Sequence, residues 1–262
     1  MNRIMSGIML VMGLHAVHAQ TTDVYQYYKD KFPDEPAVYV ERSEVMNLVV
    51  DGDSLRAFTD VKEELVLLKE QADLFADKRV YGSHFTRVEN LKAKTLVWDK
   101  NRYREMTVSS FKKNSDVDRG IFYDDSYYYS FTFPAAAARN RTQLEYRESL
   151  KDPRFIPGYV FASYLPQGKI SYVIKTTKDV DIFYQVLHDT KNQIQFKKTE
   201  KGSNVIYEWT AVDLPAMKSE GGSPALRYFA PQLICYVKSY QTKKGKVNVF
   251  NSLDDLYAWY YT

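Results

Sequence analysis

The chain has 262 residues and a formal charge of +3, its 36 basic and 33 acidic side chains interspersed rather than gathered in blocks. That balance excludes a surface built to neutralise phosphate, so nucleic acid is not an expected partner. Aromatic residues make up 15% of the chain, with 22 Tyr against 3 Trp, and there is 1 Cys; tyrosine suits sheets with one wet face, and a single thiol excludes an internal disulfide.

Residues 1–19 read as a secretory signal peptide. Met1-Asn2-Arg3 is a positive start, Ile4–Leu14 is an apolar run too short to span a bilayer, and Val17-His18-Ala19 offers small-residue cleavage geometry before Gln20. No later stretch is apolar for long enough to cross a bilayer as a helix. The product is therefore expected to be exported, to the periplasm or the medium. Residues 20–36 form a polar and aromatic lead-in that crosses Pro33 and Pro36.

Strand patterns begin at Ala37–Ser43, where Val38 and Val40 alternate with Tyr39 and Glu41, and a second apolar run follows at Val45–Val50. Asp51-Gly52 marks a tight turn, with Ser54–Thr59 as the returning partner. Val61–Phe75 carries two conflicting signals. Val61, Leu65, Leu68, Ala72 and Phe75 recur at helical spacing, yet Glu63–Leu68 also reads as a buried strand. Alternation resumes at Leu91–Trp98, turns at Asp99-Lys100-Asn101, and returns along Arg102–Phe111.

Ile121–Pro134 is the stretch around which the chain is expected to be organised: two aromatic runs, broken by Asp124-Asp125-Ser126 and stopped by a proline, read as the middle hairpin of a large β domain. Ala135–Asn140 reads as a loop or single helical turn, and Gln143–Glu148 as a short strand. Tyr159–Tyr164 reads as an apolar strand ended by Leu165-Pro166. Strands and polar turns then repeat through Ile170–Thr176, Val180–Leu187, Gln193–Lys198, Asn204–Val212, Leu233–Val237 and Val247–Phe250. This regular punctuation predicts an all-β fold, a large antiparallel β-sandwich over 37–250, as one body or as two lobes broken near 166–169. Ser252 then starts a short C-terminal helix, with Asp255 three residues on and Leu253, Leu256, Tyr257 and Tyr260 on one stripe.

Residues with catalytic chemistry are sparse. Beyond residue 19 only His84 and His188 remain, and Cys235 sits in an alternating strand, the place of a buried, inert thiol rather than an activated one. No nucleophile elbow, phosphate loop or metal-ligand spacing is present. Asp124-Asp125 reads as a turn cap and His188-Asp189 as a surface turn, while Asn140-Arg141-Thr142 fits a glycosylation acceptor. No catalytic, cofactor or metal residues are assigned, and no cofactor is expected.

Several segments, in order and spacing, resemble the bacterial domain-of-unknown-function 3857 family, an exported β domain that commonly precedes a transglutaminase-like domain. They are Ile121–Asp125 with Tyr129–Pro134, Lys151-Asp152-Pro153-Arg154-Phe155, Tyr159-Val160-Phe161 through Leu165-Pro166, Tyr207-Glu208-Trp209, Leu214-Pro215-Ala216, Pro231-Gln232-Leu233 and Asp255–Tyr260. The resemblance implies a strand at Lys62–Leu68 with a turn after it. It departs from the family at Ala135–Arg141, where a glycine-containing turn is expected. It also implies a non-catalytic domain that packs against, or presents ligand to, a transglutaminase-like partner in cis or in trans, with 251–262 leading into that domain and Leu256, Trp259 and Tyr260 as the candidate interface. The alternative is a glycan- or peptide-binding module using exposed Tyr and Trp, which requires a concave surface with at least two coplanar rings.

Overall fold

The computed structural model describes residues 23–116, 125–218, 222, 224–250 and 252–261, apart from the side chains of 71–73. The residues read as a signal peptide lie outside this set, as do Ile121–Asp124. In chain order the elements are α1 (Val24–Lys31), β1 (Ala37–Asp51), β2 (Ser54–Leu67), β3 (Asp77–Gly82), β4 (Thr86–Asp99), β5 (Arg102–Thr107), β6 (Lys112–Ser115) and β7 (Tyr127–Thr132). They continue with β8 (Arg141–Leu150), β9 (Tyr159–Val160), β10 (Gln167–Thr177), β11 (Val180–Leu187), β12 (Gln195–Lys201), β13 (Asn204–Leu214), β14 (Gln232–Thr242), β15 (Gly245–Asn248) and α2 (Leu253–Tyr260). Short 3-10 turns occur at Glu70–Phe75, Pro153–Phe155 and Leu226–Tyr228.

An 8-stranded sheet forms the base, in the order β12-β13-β10-β1-β2-β8-β4-β5. Its strands pair antiparallel except β1 with β10, which run parallel from Tyr39 opposite Gln167 to Asn47 opposite Lys175. The stretch 166–169 thus leads directly into β10, and the sheet continues across it. Two smaller sheets lie on one face of this base. A 4-stranded sheet of β11, β14, β15 and β9 buries Ile182, Leu233, Cys235 and Val237 against Met46, Ile170, Tyr172 and Trp209. A 3-stranded sheet, β3-β7-β6, buries Val80 and Phe131 against Val88, Ala93 and Leu144. Both cover the same face, because Leu144 and Leu150 are an even number of residues apart on β8, and the first packs in one core while the second packs against the other.

Several local expectations are corrected. The two runs 37–43 and 45–50 are one strand of 15 residues, with a register shift between Tyr39 and Glu41. The Val61–Phe75 conflict resolves as the resemblance implies, with β2 running to Leu67 and the helical spacing surviving only as the 3-10 turn 70–75. Buried cross-strand partners override periodicity here: Leu67 pairs with Ala37, and Val66 pairs with Val38. The aromatic stretch contributes β7, which is central in the small sheet and not in the base, and its neighbours are β3 and the polar Lys112–Ser115. β5 stops at Thr107, and the segment Tyr159–Tyr164 contributes only a two-residue strand. The lead-in holds a helix, α1, capped by Asp23, whose side chain accepts from the Tyr25 N–H at 3.1 Å. Tyr28 packs α1 onto Val38, Val66 and Leu68 on the otherwise solvated face of the base.

The Ala135–Arg141 loop does without glycine by forcing other residues into left-handed backbone. Ala135 has φ +50 and Arg139 φ +73. Asn140 holds the loop. It is buried, its Oδ1 accepts from the Trp98 N–H at 2.8 Å, and its Nδ2 donates to the Ala135 carbonyl at 2.8 Å. That double bond corrects the reading of Asn140 as a glycosylation acceptor, since its amide is structural and turned inward.

Candidate functional site

The last helix is locally well specified. Ser252 and Asp255 form a capping box, the Ser252 hydroxyl accepting from the Asp255 N–H and the Asp255 carboxylate accepting from the Ser252 N–H at 2.8 Å. Yet α2 buries none of its residues, and Leu253 is 72% and Tyr260 77% exposed. Trp259 lies edge-on to Phe155 with ring centroids 5.7 Å apart, and the Arg154 guanidinium stands 5.7 Å from the same indole. Phe155 in turn meets Phe85 at 5.8 Å. Leu253 and Leu256 border an open groove of about 560 Å³ lined also by Ile234, Cys235 and Tyr236 of β14 and by Phe250, Ser252 and Arg154.

Of the three residues expected at an interface, Leu256 lines this groove, Trp259 anchors the helix to the 153–155 turn, and Tyr260 projects away beside Tyr261 at 5.6 Å. Ile234 and Tyr236 were not legible as surface residues, because alternation in β14 marks two faces without saying that Leu233, Cys235 and Val237 take the buried one. Phe155 was missed for a different reason: turn chemistry at Asp152-Pro153 announces a loop and is silent about which ring it exposes.

A second feature lies on the base between the two small sheets. Cross-strand pairing puts Arg42 opposite Glu63, and Glu44 opposite Val61, which is itself opposite Tyr146. One row further on, Thr59 faces Glu148. Lys78 reaches over from β3 to Glu63 at 2.7 Å, Arg42 sits 3.8 Å from Glu63, and Arg42 donates to Gln167 Oε1 at 3.1 Å. Burial, reinforced by the nearby Glu148 and Glu63 and opposed by Arg42, pushes the Glu44 carboxyl up to about 7. Burial also raises Glu148. Tyr159 closes the seam from the side of β9, and its buried hydroxyl makes no hydrogen bond among the described residues.

The remaining singled-out residues are structural. Burial pushes the Cys235 thiol up to about 11, opposite to what a nucleophile needs. Asp189 accepts from the Gln193 and Ile194 N–H groups at 2.8 and 3.0 Å, closing the turn that His188 enters with φ +62. Asp125 accepts from the His84 N–H at 2.8 Å, and Asp124 lies outside the described residues. Asp255 caps α2. Among the described residues no group of three or more His, Cys, Asp or Glu gathers as metal ligands would. Two ring pairs on the outer faces have been aligned by the sheets: Phe183 and Tyr236 stack on each other at 4.8 Å, and Tyr81 and Tyr128 tilt by 47°. Neither makes a flat platform of coplanar rings. No helix among the described residues is long and apolar enough to cross a membrane.

The family model for a domain of unknown function with solved structure, DUF3857, matches residues 65–218. None of the curated proteins matches the chain. Among solved structures, that of a "putative protease" from Parabacteroides distasonis superposes with a TM-score of 0.64 at 13% identity, over 76% of this chain and 40% of that one. An M1 zinc metallopeptidase from Deinococcus radiodurans gives 0.37 at 11% identity, over 78% of this chain and 44% of that one. The first likeness bears on the fold alone, and the second is too weak to carry an argument. The chain spans less than half the length of either protein. With the family match covering more than half of its residues, the chain belongs to the DUF3857 family.

Proposed function

We propose that this chain is an exported, non-catalytic β domain that docks a transglutaminase-like domain through the surface made by α2, the 153–155 turn and the outer side of β14. The observation that carries the reading is a helix with a complete cap and no buried residue, set beside an open apolar groove. An isolated helix of 8 residues is marginal in water, so a cap of this quality gains its use when the apolar stripe is covered. Covering Leu253, Leu256 and Tyr260 stabilises by up to about 1.5–3 kcal/mol per fully buried side chain. The groove is open, the aromatic anchors are clustered, and an arginine lies at their rim, which is the composition of an interface centre. The thiol held protonated in Cys235 supports a non-catalytic role, and the pattern of residues 1–19 supports export.

The test starts from the genome. A transglutaminase-like domain encoded in frame after Thr262 or in a neighbouring gene is expressed with this chain, and the mixture is examined by light scattering. A 1:1 complex that the double substitution Leu256→Ser, Trp259→Ser weakens at least about tenfold is the expected result. The absence of any such encoded domain, or a complex indifferent to the double substitution, overturns the reading.

A further inference from the structure

The seam between the two small sheets is short of one positive charge. Three carboxylates face it, Glu44 from β1, Glu63 from β2 and Glu148 from β8, against two cations, Arg42 and Lys78. Lys78 pairs with Glu63 at 2.7 Å, and Arg42, 3.8 Å from Glu63 and donating to Gln167, is shared between Glu63 and the field of Glu44. Among the described residues neither Glu44 nor Glu148 has an ion pair or side-chain hydrogen bond, and both are only half-buried, so solvent reaches them. Independently, Tyr159 is 4% exposed and its hydroxyl has no partner among the described residues, although its electrostatic neighbours are Glu44, Arg42 and Glu63. A buried orphan hydroxyl at the edge of an unmatched carboxylate pair marks an unfilled hydrogen-bonding position at the seam.

We propose that this seam binds a single ammonium or guanidinium group, held by the Glu44 and Glu148 carboxylates with the Tyr159 hydroxyl as a neutral acceptor. The group comes from a basic side chain, from a peptide amino terminus or from a free amine, and the chemistry is common to all three. An anion would meet two unpaired carboxylates. The site lies apart from the α2 surface, so it stands or falls separately from the docking role.

Without a cation, the seam takes up a proton instead. The groups that face Glu44 are Arg42 on its own strand, Glu63 on β2, Glu148 and Tyr146 on β8, Tyr159 on β9 and Tyr172 on β10. The high proton affinity of Glu44 means that a bound cation displaces a proton near neutral pH. Affinity therefore rises about tenfold from pH 6 to pH 8, the competition being relieved as Glu44 ionises.

The test is calorimetric titration of the purified chain with Nα-acetyl-lysine methylamide, Nα-acetyl-arginine methylamide and alanine amide, with Nα,Nε-diacetyl-lysine methylamide as the uncharged control. Expected is saturable binding of at least one charged probe, none of the control, and weakening of at least about tenfold in both Glu44→Gln and Glu148→Gln, with a smaller loss in Tyr159→Phe. The pattern among the three probes identifies the source of the charge. Two buffers of different ionisation enthalpy read the released proton on the unsubstituted chain, so a variant that fails to fold does not decide the matter. No binding of any charged probe at millimolar concentration, equal binding of the diacetyl control, or affinity that is flat between pH 6 and pH 8 overturns the proposal.

Discussion

Replacing Glu44 by Gln isolates the cost of placing a carboxyl on the floor of the seam. The unfolded chain ionises this group near 4.5 and the folded chain near about 7. The folded state therefore binds the proton more tightly, and stability must fall as pH rises through that window, then level off. Each step of one in pH is worth about 1.36 kcal/mol, so the window caps the loss at about 3 kcal/mol. Partial solvent access to the carboxyl reduces this, and about 1–2 kcal/mol is the expected size. Gln keeps the shape of Glu and cannot ionise. Urea unfolding at a series of pH values, extrapolated linearly, should show Glu44→Gln and the unsubstituted chain about equal near pH 4 and the variant more stable by about 1–2 kcal/mol near pH 8. Glu148, also raised by burial, slopes in the same direction in both proteins, and the part of its effect that comes from repulsion with Glu44 adds to the difference with the same sign. Parallel curves, or a variant less stable at pH 8, would refute the reasoning, because they would mean that Glu44 is well solvated or already paired.

Three further outcomes follow from the packing. A Cβ at Gly168 would lie 1.8 Å from the Tyr28 hydroxyl, so Gly168→Ala should cost roughly 1–3 kcal/mol and speed amide exchange in α1 more than in the base sheet. Asn140→Ala leaves the Trp98 N–H and the Ala135 carbonyl without their partner, and a loss of about 2–3 kcal/mol in urea unfolding is expected; a loss below about 0.5 kcal/mol would show that the loop is held by something else. Cys235, buried and with its thiol pushed up to about 11, should react with a disulfide reagent only at the rate of global unfolding, and rapid labelling of the native chain would contradict its place in the core.

Much of this architecture was legible because period-2 alternation and turn residues act locally. β10, β11 and β13 fall where the alternation of Ile170–Thr176, Val180–Leu187 and Asn204–Val212 puts them, and Ser252 caps α2 as its spacing with Asp255 requires. What alternation does not contain is the partner of each strand. The parallel pairing of β1 with β10 joins residues 128 apart, as in Ser43 with Ser171, and nothing within either strand announces it. β6 was hidden by composition: Lys112–Ser115 is polar throughout, and it is a strand because β7 offers a free edge beside it. α1 was hidden by its single buried residue, Tyr28, which leaves no apolar stripe to read. The seam is the instructive case. Arg42, Glu44, Glu63 and Glu148 occupy positions where the pattern of each strand calls for apolar residues, and each reads on its own as a charged side chain facing water. Only the sheet order, which sets β1, β2 and β8 side by side, brings the four together. The apolar surface at α2 was half legible, through Leu256 and Trp259, while its floor on β14 depended on which side of the small sheet faces the base.

The proposed docking role is tested most directly by hydrogen exchange at the amides of Leu253–Tyr260, in the chain alone and in the chain joined to the transglutaminase-like domain proposed as its partner. With no buried residue of its own, α2 should exchange within the range of a marginal, solvent-exposed helix when alone, and become protected together with the 153–155 turn and β14 when the proposed partner is present. Protection of α2 in the isolated chain equal to that of the base sheet, or exchange unchanged by the partner, would contradict the account.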